Sequence, residues 1–463
     1  MLRFDHVIRD PVHRDIPLTT EELRVLDTAE IQRLRSVRQL GAAYMVYPGA
    51  QHTRFEHSVG SAHLALNMAE AANGVRDTHG ASFGGYDEQE IRVIRIAALI
   101  HDCTHLPFGH NIEDQVGLLP RHDIPERFAG VVNKGTELGR VLSDLGVREE
   151  VLAILSPQAA PGGPPPAHWT ALISGTIDAD MLDYLARDAH FTGLRLNYDP
   201  RILRMFRVDR RSQQLFADLG SRGYLKESVL SEIIRCLEAR YYFSERVYNH
   251  HAKIAAELLV AKALESALEE GALDLATIQR STDAGLLDTL ENISLRDAER
   301  RANLATCLSS LRSRRLPKRA AVFPVYANED IQHQLIEKYY GGNRSSERSE
   351  AESKLSEAAS RAIGRPVPVF VYCPAPTMQV KQAKMLVQWP GETDLYPLSH
   401  FSERTPRLAD LEESYMRMWK FFVFALTDSE EALEAVREAC LDVFPGAVNL
   451  LQSGAEDSAN RPG

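Results

Sequence analysis

The stretch 101–110 constrains this chain more than any other, because three histidines and an aspartate follow directly on an apolar run. It reads His-Asp-Cys-Thr-His-Leu-Pro-Phe-Gly-His, and the run before it, 91–100, is broken only by two arginines. That pattern predicts a helix that enters the core with one polar edge. Adjacent His101 and Asp102 cannot share one face of an ideal helix, so both can reach one metal only if the helix ends or distorts there. The proline and glycine that follow favour such an ending.

Composition limits the classes of protein to which the chain can belong. With 463 residues it can bury a sizeable core, and we expect two or three lobes. The net charge of -11 gives no support to wholesale nucleic-acid binding, although a local basic cleft stays open. We recognise neither a signal-peptide core nor an apolar segment long enough to span a bilayer, so we expect a cytoplasmic protein without a membrane partner. The five cysteines form no Cys-x-x-Cys pair, and we interpret Cys103 as a small buried side chain.

An arginine-rich segment near the start allows two interpretations. The pattern predicts one helix over 20–40 with Thr19 or Thr20 as N-cap. One of its surfaces is polar and positive, and comprises Arg24, Asp27, Gln32, Arg33, Arg35, Arg38 and Gln39. Composition alone favours a solvated helix face. The alternative is a site for an anion or a nucleotide.

Further titratable residues lie on both sides of the central motif. His52 and His57 precede or open a second helix through residue 72, and each alone is more often a structural histidine than a ligand. Arg54 adds a cation that could hold a phosphate. Beyond the motif, four polar residues fall at i, i+4, i+7 and i+8 and share one helical stripe: Asp180, Tyr184, Arg187 and Asp188.

The residue types suggest a metal site. His57, His101, Asp102 and Asp180 would offer two neutral nitrogens and two carboxylates, which suit iron, manganese, cobalt, nickel or zinc better than an all-oxygen magnesium site. A divalent ion there would act as a Lewis acid on phosphorus and activate water. Spacing alone does not establish this site, since a His-Asp pair occurs by chance in many proteins. The identity of the ion stays open, magnesium included.

Together these motifs resemble the HD-domain phosphohydrolases, and among them the dNTP triphosphohydrolase branch. The resemblance is carried by residues 10–13, 27–35, 39–41, 47–58, 101–110 and 177–188, with a weaker match at Arg240 and 248–250. It covers residues 1–260. It implies a mainly α fold, with an HD-domain helical core and a smaller α+β C-terminal lobe, and no sterile-alpha-motif domain in this sequence.

The resemblance also implies roles for particular residues. The metal ligands would be His57, His101, Asp102 and Asp180, and the catalytic groups His105, His110, Glu113 and His122, with His110 as the acid for the leaving 5' oxygen. The substrate would contact Gln39 and Leu40 at the sugar, Arg54 at the α-phosphate, and Tyr184, Asp188, Arg240 and Tyr248 around the pocket. Water attack at the α-phosphorus would release a deoxynucleoside and inorganic triphosphate. Asp27, Gln32 and Arg35 match positions that hold an activating guanine nucleotide at a subunit interface, which implies a homodimer or homotetramer.

Three departures from the family pattern leave alternatives open. Met181 stands where a lysine usually touches the phosphates, Ser244 where a histidine is expected, and Arg9 where an asparagine lies near the activator. Loss of a cation beside a polyphosphate can shift preference among mono-, di- and triphosphates. A phosphohydrolase of another nucleotide, or a nucleotide sensor with little turnover, is therefore an alternative. Guanosine tetraphosphate hydrolases carry an acidic pair after the motif and cyclic-dinucleotide enzymes a GYP signature, and both are missing from this sequence.

The remaining chain is less informative. We predict helices over 253–313, and a small α+β lobe with strands at 320–326, 367–372, 383–389 and 421–424 and a helix from Arg407. Residues 341–356 are charged and rich in serine and are predicted to be mobile. Lys381 and Lys384 could bind an activator, although a solvated surface is the commoner meaning. The predicted domains are 1–260, 261–451 and a disordered tail, 452–463.

Overall fold

The computed structural model describes residues 2–74, 83–160, 162–221, 223–376 and 384–452. Lys381 and the predicted tail from residue 453 onward lie outside these ranges. In the first half the strands are β1 (His6–Asp10), β2 (Arg14–Leu18), β3 (Phe83–Gly84), β4 (Phe206–Asp209), β5 (Leu215–Asp218), β6 (Gly220–Ser221) and β7 (Tyr224–Leu225). The helices there are α1 (Thr20–Leu26), α2 (Ala29–Gln32), α3 (Arg54–Asn73), α4 (Glu88–Ile100), α5 (Pro125–Val131), α6 (Glu137–Asp144), α7 (Arg148–Leu155), α8 (Ala167–Ser174), α9 (Ala179–Thr192) and α10 (Glu227–Phe243).

Helix α4 is the central element of the helical core, and it confirms the helix predicted before the motif. It begins with a capping box between Asp87 and Glu90 and ends at Ile100. Its residues from 91 to 100 are buried except for Arg92, and it packs against α3, which in turn packs against α9. The motif therefore directly follows a helix that is buried in the core.

The polar edge of α4 is held by ion pairs to α1. Arg95 is fully buried and binds both carboxylate oxygens of Glu22, whose side chain also completes the capping box with Thr19. Arg92 makes a second, more exposed pair with Glu21. The predicted polar edge is thus a contact between helices, not a solvent face.

The predicted helix over 20–40 is wrong in its extent. Helix α1 ends at Leu26, Thr28 adopts an extended conformation, and α2 is followed by a 3₁₀ turn over Arg33–Ser36. The Thr28 hydroxyl donates to the carbonyl of Val25, and this side-chain bond competes with continued helix. Of the two predicted N-caps, Thr19 is the one that caps α1.

The second half of the chain forms the C-terminal region. Its helices are α11 (His251–Glu269), α12 (Leu275–Arg280), α13 (Asp283–Asn292), α14 (Ala298–Arg312), α15 (Glu329–Tyr339), α16 (Ser345–Ile363), α17 (Pro406–Met416) and α18 (Glu430–Val443). Its strands are β8 (Lys318–Pro324), β9 (Val369–Tyr372), β10 (Leu386–Gln388), β11 (Tyr396–Pro397) and β12 (Lys420–Ala425). The predicted boundary at residue 260 falls inside α11, and the division into domains stays a prediction.

The C-terminal lobe is built around an antiparallel sheet in the order β8-β12-β9. Alternate residues of β12 face opposite sides: Phe422 and Phe424 pack towards α11 and α14, whereas Phe421 and Val423 pack towards α16 and α18. Strand β10 does not join this sheet. It pairs in parallel with β5 and extends the order β11-β10-β5-β4-β3, so the strand predicted at 383–389 belongs to the core sheet.

The segment predicted to be mobile, 341–356, is mostly helical. Helix α16 buries Ala351, Leu355 and Ala359 at a spacing of four residues against the three-stranded sheet. Its serine and charge content concealed this narrow apolar stripe. Among the described residues, no helix combines the length and apolarity needed to cross a bilayer.

The buried pair between α1 and α4 yields a stability prediction. Arg95→Leu leaves the Glu22 carboxylate buried without its cation, and we expect the free energy of unfolding to fall by about 3–5 kcal/mol. The control is Arg95→Leu combined with Glu22→Gln, which removes the charge but keeps an oxygen for the cap, and should recover most of the loss. Urea-induced unfolding measures both. An equal loss in the single and double variants would contradict this account.

Candidate metal centre and active site

Three of the four predicted metal ligands meet where α3, α4 and α9 converge. The Nε2 atoms of His57 and His101 are 3.2 Å apart, and Oδ1 of Asp180 lies 3.0 Å from the first and 3.7 Å from the second. His57 is fully buried and the Asp180 side chain is 31% exposed, so the group opens to solvent on one side. Helix α4 ends directly before His101, as predicted, and tight turns follow.

Asp102, the fourth predicted ligand, lies beside this group. Its Oδ1 is 3.5 Å from Nε2 of His101, and its Oδ2 is 3.8 Å from Nε2 of His57. Its Oδ2 also accepts a hydrogen bond from Arg54 at 2.7 Å. The turn after α4 thus brings two adjacent residues of the motif to one point, which an ideal helix would not allow.

The two histidines are oriented so that a cation fits between them. The Nδ1 of His101 is 2.7 Å from the carbonyl of Ala98, and this carbonyl can only accept. The Nδ1 of His57 is 2.7 Å from a carboxylate oxygen of Asp183. With both Nδ1 atoms donating, both Nε2 atoms present lone pairs to each other. Two facing lone pairs among carboxylates suit a divalent metal ion, and the chain places this donor set for one.

The electrostatics of the group agree with that reading. Burial disfavours the charged ring of His57, but hydrogen bonds to Asp180 and Asp183 outweigh it and raise its pKa to about 10. The pKa of His101 is raised as well: Asp102 and Asp180 overcome its burial. The pKa of Asp180 is lowered, because the two imidazoles outweigh desolvation. The centre of the site therefore attracts positive charge.

Asp183 orients the site from behind and was missed by the sequence analysis. One oxygen of this fully buried carboxylate lies 2.7 Å from Nδ1 of His57, and the other lies 2.7 Å from Nε2 of His13. Arg187 donates one hydrogen bond to each oxygen, both at 2.9 Å. Arg187 continues to Asp10 at 2.8 Å. A signal was present: Gly60 lies in the same helix as His57, and a Cβ there would be 1.8 Å from Asp183.

A second cluster adjoins the first through Asp102. Nε2 of His105 lies 3.2 Å from Oδ1 of Asp102, and the His105 ring stacks on His122 with centroids 3.6 Å apart. Glu113 accepts from both the backbone and, at 2.9 Å, Nδ1 of His122. Burial, with Arg54 and His122 nearby, holds the pKa of His105 well below its usual value, so the ring is neutral. His110 is exposed, with its ring 4.7 Å from His105.

Unusual backbone conformations shape this cluster. Phe108 is buried at a φ of +55°, a left-handed conformation that is rare for a bulky residue and is found at functional sites. Gly109 allows His105 to approach, since a Cβ would lie 2.8 Å from its Nδ1. Directly after His110 the chain forms a π-helical turn, Asn111–Gln115, which carries Glu113. Spacing in the sequence cannot reveal such a turn.

The predicted substrate residues come from several elements, and Arg54 is bonded directly to Asp102 beside the metal centre. Arg54 begins α3 and is 1% exposed. Tyr248 donates to Asp188 at 2.6 Å, and Asp188 in turn lies 2.8 Å from His52. A second π-helical turn, Ser244–Tyr248, delivers that tyrosine. His52 thus bonds to Asp188 and is not one of the three residues that form the metal group.

Tyr184 and Arg240 form the other side of this region. The Tyr184 and Tyr248 rings lie 6.2 Å apart. Burial raises the pKa of Tyr184, and the Arg240 guanidinium opposes this rise. The residues predicted to share a stripe on α9 contact different partners. Asp180 faces the metal centre, Asp188 faces His52, and Arg187 contacts Asp10 of the N-terminal hairpin, which β1 and β2 form.

The departures from the family pattern have different surroundings. Met181 is 3% exposed within the apolar core, so its side chain packs against other apolar side chains. Ser244 is half-buried and its carbonyl accepts from Asn249. Cys103 is buried, and burial raises the pKa of its thiol, which agrees with the prediction of a small buried side chain.

The predicted activator residues lie on the surface at α1 and α2. Arg35 and Asp27 are exposed. Arg35 donates to Gln32 at 2.9 Å and stacks 3.5 Å above the ring of Phe55. Arg33, which was grouped with them, instead turns inward and donates to the carbonyls of Cys103 and His105 at 3.1 and 2.7 Å. These two hydrogen bonds hold the turn that follows α4 in place.

The helical core and its His/Asp group define a class of metal-dependent proteins. Comparison with known families agrees: the HD domain family matches residues 54–158, and the HD associated region matches residues 221–448. This chain therefore contains an HD domain followed by an HD associated region.

Among its relatives, a protein of Methanocaldococcus jannaschii is 31% identical over 304 residues, 64% of this chain and 58% of that protein. The deoxynucleoside triphosphate triphosphohydrolase SAMHD1 of Homo sapiens is 29% identical over 272 residues, 53% of this chain and 42% of that protein. A Bacillus subtilis protein is 31% identical over 57% of this chain and 56% of its own length. The chain thus spans little more than half of the first curated relatives it matches. A solved structure from Aquifex aeolicus shares the fold, with a TM-score of 0.64 and 22% identity over 94% of this chain and 99% of that one.

Asp183 supports a prediction about metal affinity. Asp183→Asn removes the charged acceptor that orients His57, and loss of such a partner typically weakens metal binding by about 10–100-fold. Competition with a chelator series, followed by measurement of retained metal, tests this. The control is Asp188→Asn, on the same helix, which contacts His52 instead of His57 and should retain its metal. Wild-type affinity in Asp183→Asn would count against the orienting role.

The raised pKa of His57 leads to a prediction about pH. The pKa of His57 in the metal-free fold is about 10, whereas the ordinary value for histidine is 6.5. Protonated His57 therefore stabilises the metal-free fold fully below pH 6.5, and this stabilisation is lost as the pH rises through about 10. A bound metal ion displaces the proton and removes this dependence. We expect the Tm of metal-free protein to fall more than that of metal-loaded protein between about pH 7 and about pH 10. Parallel Tm curves would refute the prediction.

Proposed function

We propose that this protein is a metal-dependent phosphohydrolase that cleaves dNTPs to a deoxynucleoside and inorganic triphosphate. The observation that carries the proposal is the convergence of His57, His101 and Asp180 beside a buried arginine and a second histidine cluster. Such an arrangement joins a metal site to groups that bind phosphate and move protons. Similarity to SAMHD1 over about half of the chain supports the substrate class.

The residues of the chain divide the chemistry as follows. His57, His101, Asp102 and Asp180 would hold a divalent ion, which would supply Lewis acidity and activate water. Arg54 holds the α-phosphate, and its bond to Asp102 fixes the guanidinium before substrate arrives. His105, neutral because it is buried, contributes hydrogen bonds and not charge.

Proton transfer to the leaving 5' oxygen falls to the second histidine cluster. His110 is exposed at its edge and is the proposed acid. Glu113 and His122 lie behind it, and their 2.9 Å hydrogen bond supports proton exchange with His110, whose ring is 5.2 Å from that of His122. Gln39 and Leu40 contact the sugar, and Tyr184, Asp188, Arg240 and Tyr248 complete the pocket.

The buried Met181 supports an alternative substrate. Since this side chain packs in the core, the cation that the family uses at the phosphates has no counterpart at this position. A nucleotide with fewer phosphates, or a modified triphosphate, is the second candidate.

Asp27, Gln32 and Arg35 are the proposed surface site for a guanine nucleotide at the interface of a homo-oligomer. A cytoplasmic location also stays a prediction.

Product analysis tests the proposal. Metal-loaded protein is incubated with each dNTP, with and without GTP, and the products are separated by ion-exchange chromatography. We expect deoxynucleoside and intact triphosphate, and loss of turnover in Asp180→Ala because a metal ligand is removed. Orthophosphate alone, or turnover confined to monophosphates, would assign the alternative substrate. No turnover of any nucleotide would refute the enzymatic proposal in favour of a sensor.

A further inference from the structure

Two acidic side chains from the C-terminal half bind the backbone of the segment 38–42, which contains the proposed sugar contacts. Glu257 of α11 is 1% exposed, and its Oε1 accepts from the backbone N–H of Ala42 at 3.2 Å. Asp283, in the first turn of α13, accepts from the backbone N–H of Arg38 at 2.9 Å. The segment is therefore fixed at both ends by charged acceptors.

The sequence of the segment is adapted to the first of these contacts. Gly41 has a φ of +53°, and a Cβ at this position would lie 2.6 Å from Oε1 of Glu257. Only a residue without a side chain lets the carboxylate approach the backbone this closely. The glycine and the glutamate thus form one arrangement, although they are far apart in sequence.

Glu257 also contacts the loop on the other side of the proposed site. Its backbone carbonyl accepts from the side-chain amide of Asn111 at 2.8 Å. Asn111 directly follows His110, the proposed acid. One residue of α11 therefore ties together the segment that contacts the sugar and the turn that carries the proton donor.

A buried lysine pairs with the Glu257 carboxylate and holds it in place. Nζ of Lys253, one helical turn earlier, lies 2.7 Å from Oε2 of Glu257, and the side chains are 7% and 2% exposed. A buried carboxylate without a cation would be strongly destabilising. The pair leaves Oε1 available as a fixed acceptor for Ala42.

We infer that Glu257, held by Lys253, is a positioning residue that places Gln39 and Leu40 and thereby sets the preference for deoxyribose over ribose. The inference rests on the proposed function, in which Leu40 crowds the position of a 2'-hydroxyl. Misplacement by about 1 Å is enough to alter such contacts strongly. A site built for one sugar loses its discrimination when the residue that excludes the extra hydroxyl is free to move.

Two double variants isolate the hydrogen bond from the charge. Lys253→Met with Glu257→Leu removes both charges and the acceptor, whereas Lys253→Met with Glu257→Gln removes both charges and keeps an oxygen for Ala42. We expect the first to lose its preference for dNTP over rNTP by about tenfold, equivalent to about 1.4 kcal/mol, mainly because the KM for the rNTP falls. The second should retain the wild-type preference.

A matched control lies on the same helix. Glu265 is also buried and paired, with Lys262 at 2.9 Å and with Arg348, but it faces the C-terminal lobe. Glu265→Gln should lower the Tm without changing sugar preference. A preference that shifts equally in the control and in the leucine double variant would overturn the inference, because it would reflect general loosening.

Hydrogen exchange provides a readout that does not depend on activity. In metal-loaded protein without nucleotide, peptides that cover 39–45 should exchange faster in the leucine double variant than in the glutamine one. Unchanged exchange in both would overturn the positioning role. If the wild type cleaves no nucleotide, the proposed function and the sugar preference both fall, and exchange still decides whether Glu257 positions the segment.

Discussion

The site depends on one electrostatic constraint: two imidazole Nε2 atoms face each other at 3.2 Å inside the core. Each ring donates from its other nitrogen, His57 to Asp183 and His101 to the carbonyl of Ala98. In that state the facing lone pairs repel unless a cation lies between them. The packing of α3, α4 and α9 against one another is therefore coupled to a metal ion or, in its absence, to a proton.

The constraint propagates outward through buried charges that are matched in turn. Asp183 is neutralised by Arg187, and Arg187 by Asp10 of the N-terminal hairpin. His13, from the same hairpin, reaches the other oxygen of Asp183. Removing Arg187 leaves the buried Asp183 carboxylate without its cation, which costs far more than the contact itself contributes. The position of the hairpin is thereby linked to the orientation of a metal ligand.

What could be predicted from the sequence was local or carried by the family resemblance. The helix before the motif follows from apolar periodicity, and its end at His101 from the proline and glycine beyond. Asp183 and Glu257 escaped because the groups that they position, the His57 ring and the backbone of Ala42, lie more than a hundred residues away. Their i,i+4 pairs with Arg187 and Lys253 are of a kind that is common on helix surfaces. The helix break at Thr28 was not predicted because it depends on a side-chain hydrogen bond. Helix α16 was not predicted because its apolar stripe is narrow and its composition is dominated by serine and charged residues.

The region matched by the HD domain family does not by itself contain the whole candidate site. That region, 54–158, contains three of the four proposed metal ligands, His57, His101 and Asp102. The fourth, Asp180, follows the region, and Gln39, which is proposed to contact the sugar, precedes it. Glu257 comes from a helix within the HD associated region. Since the acceptor for the segment proposed to contact the sugar lies on that helix, we infer that selectivity can change through α11 while the metal ligands stay the same. Substitutions there would alter which nucleotide is accepted before they alter whether phosphorus is attacked.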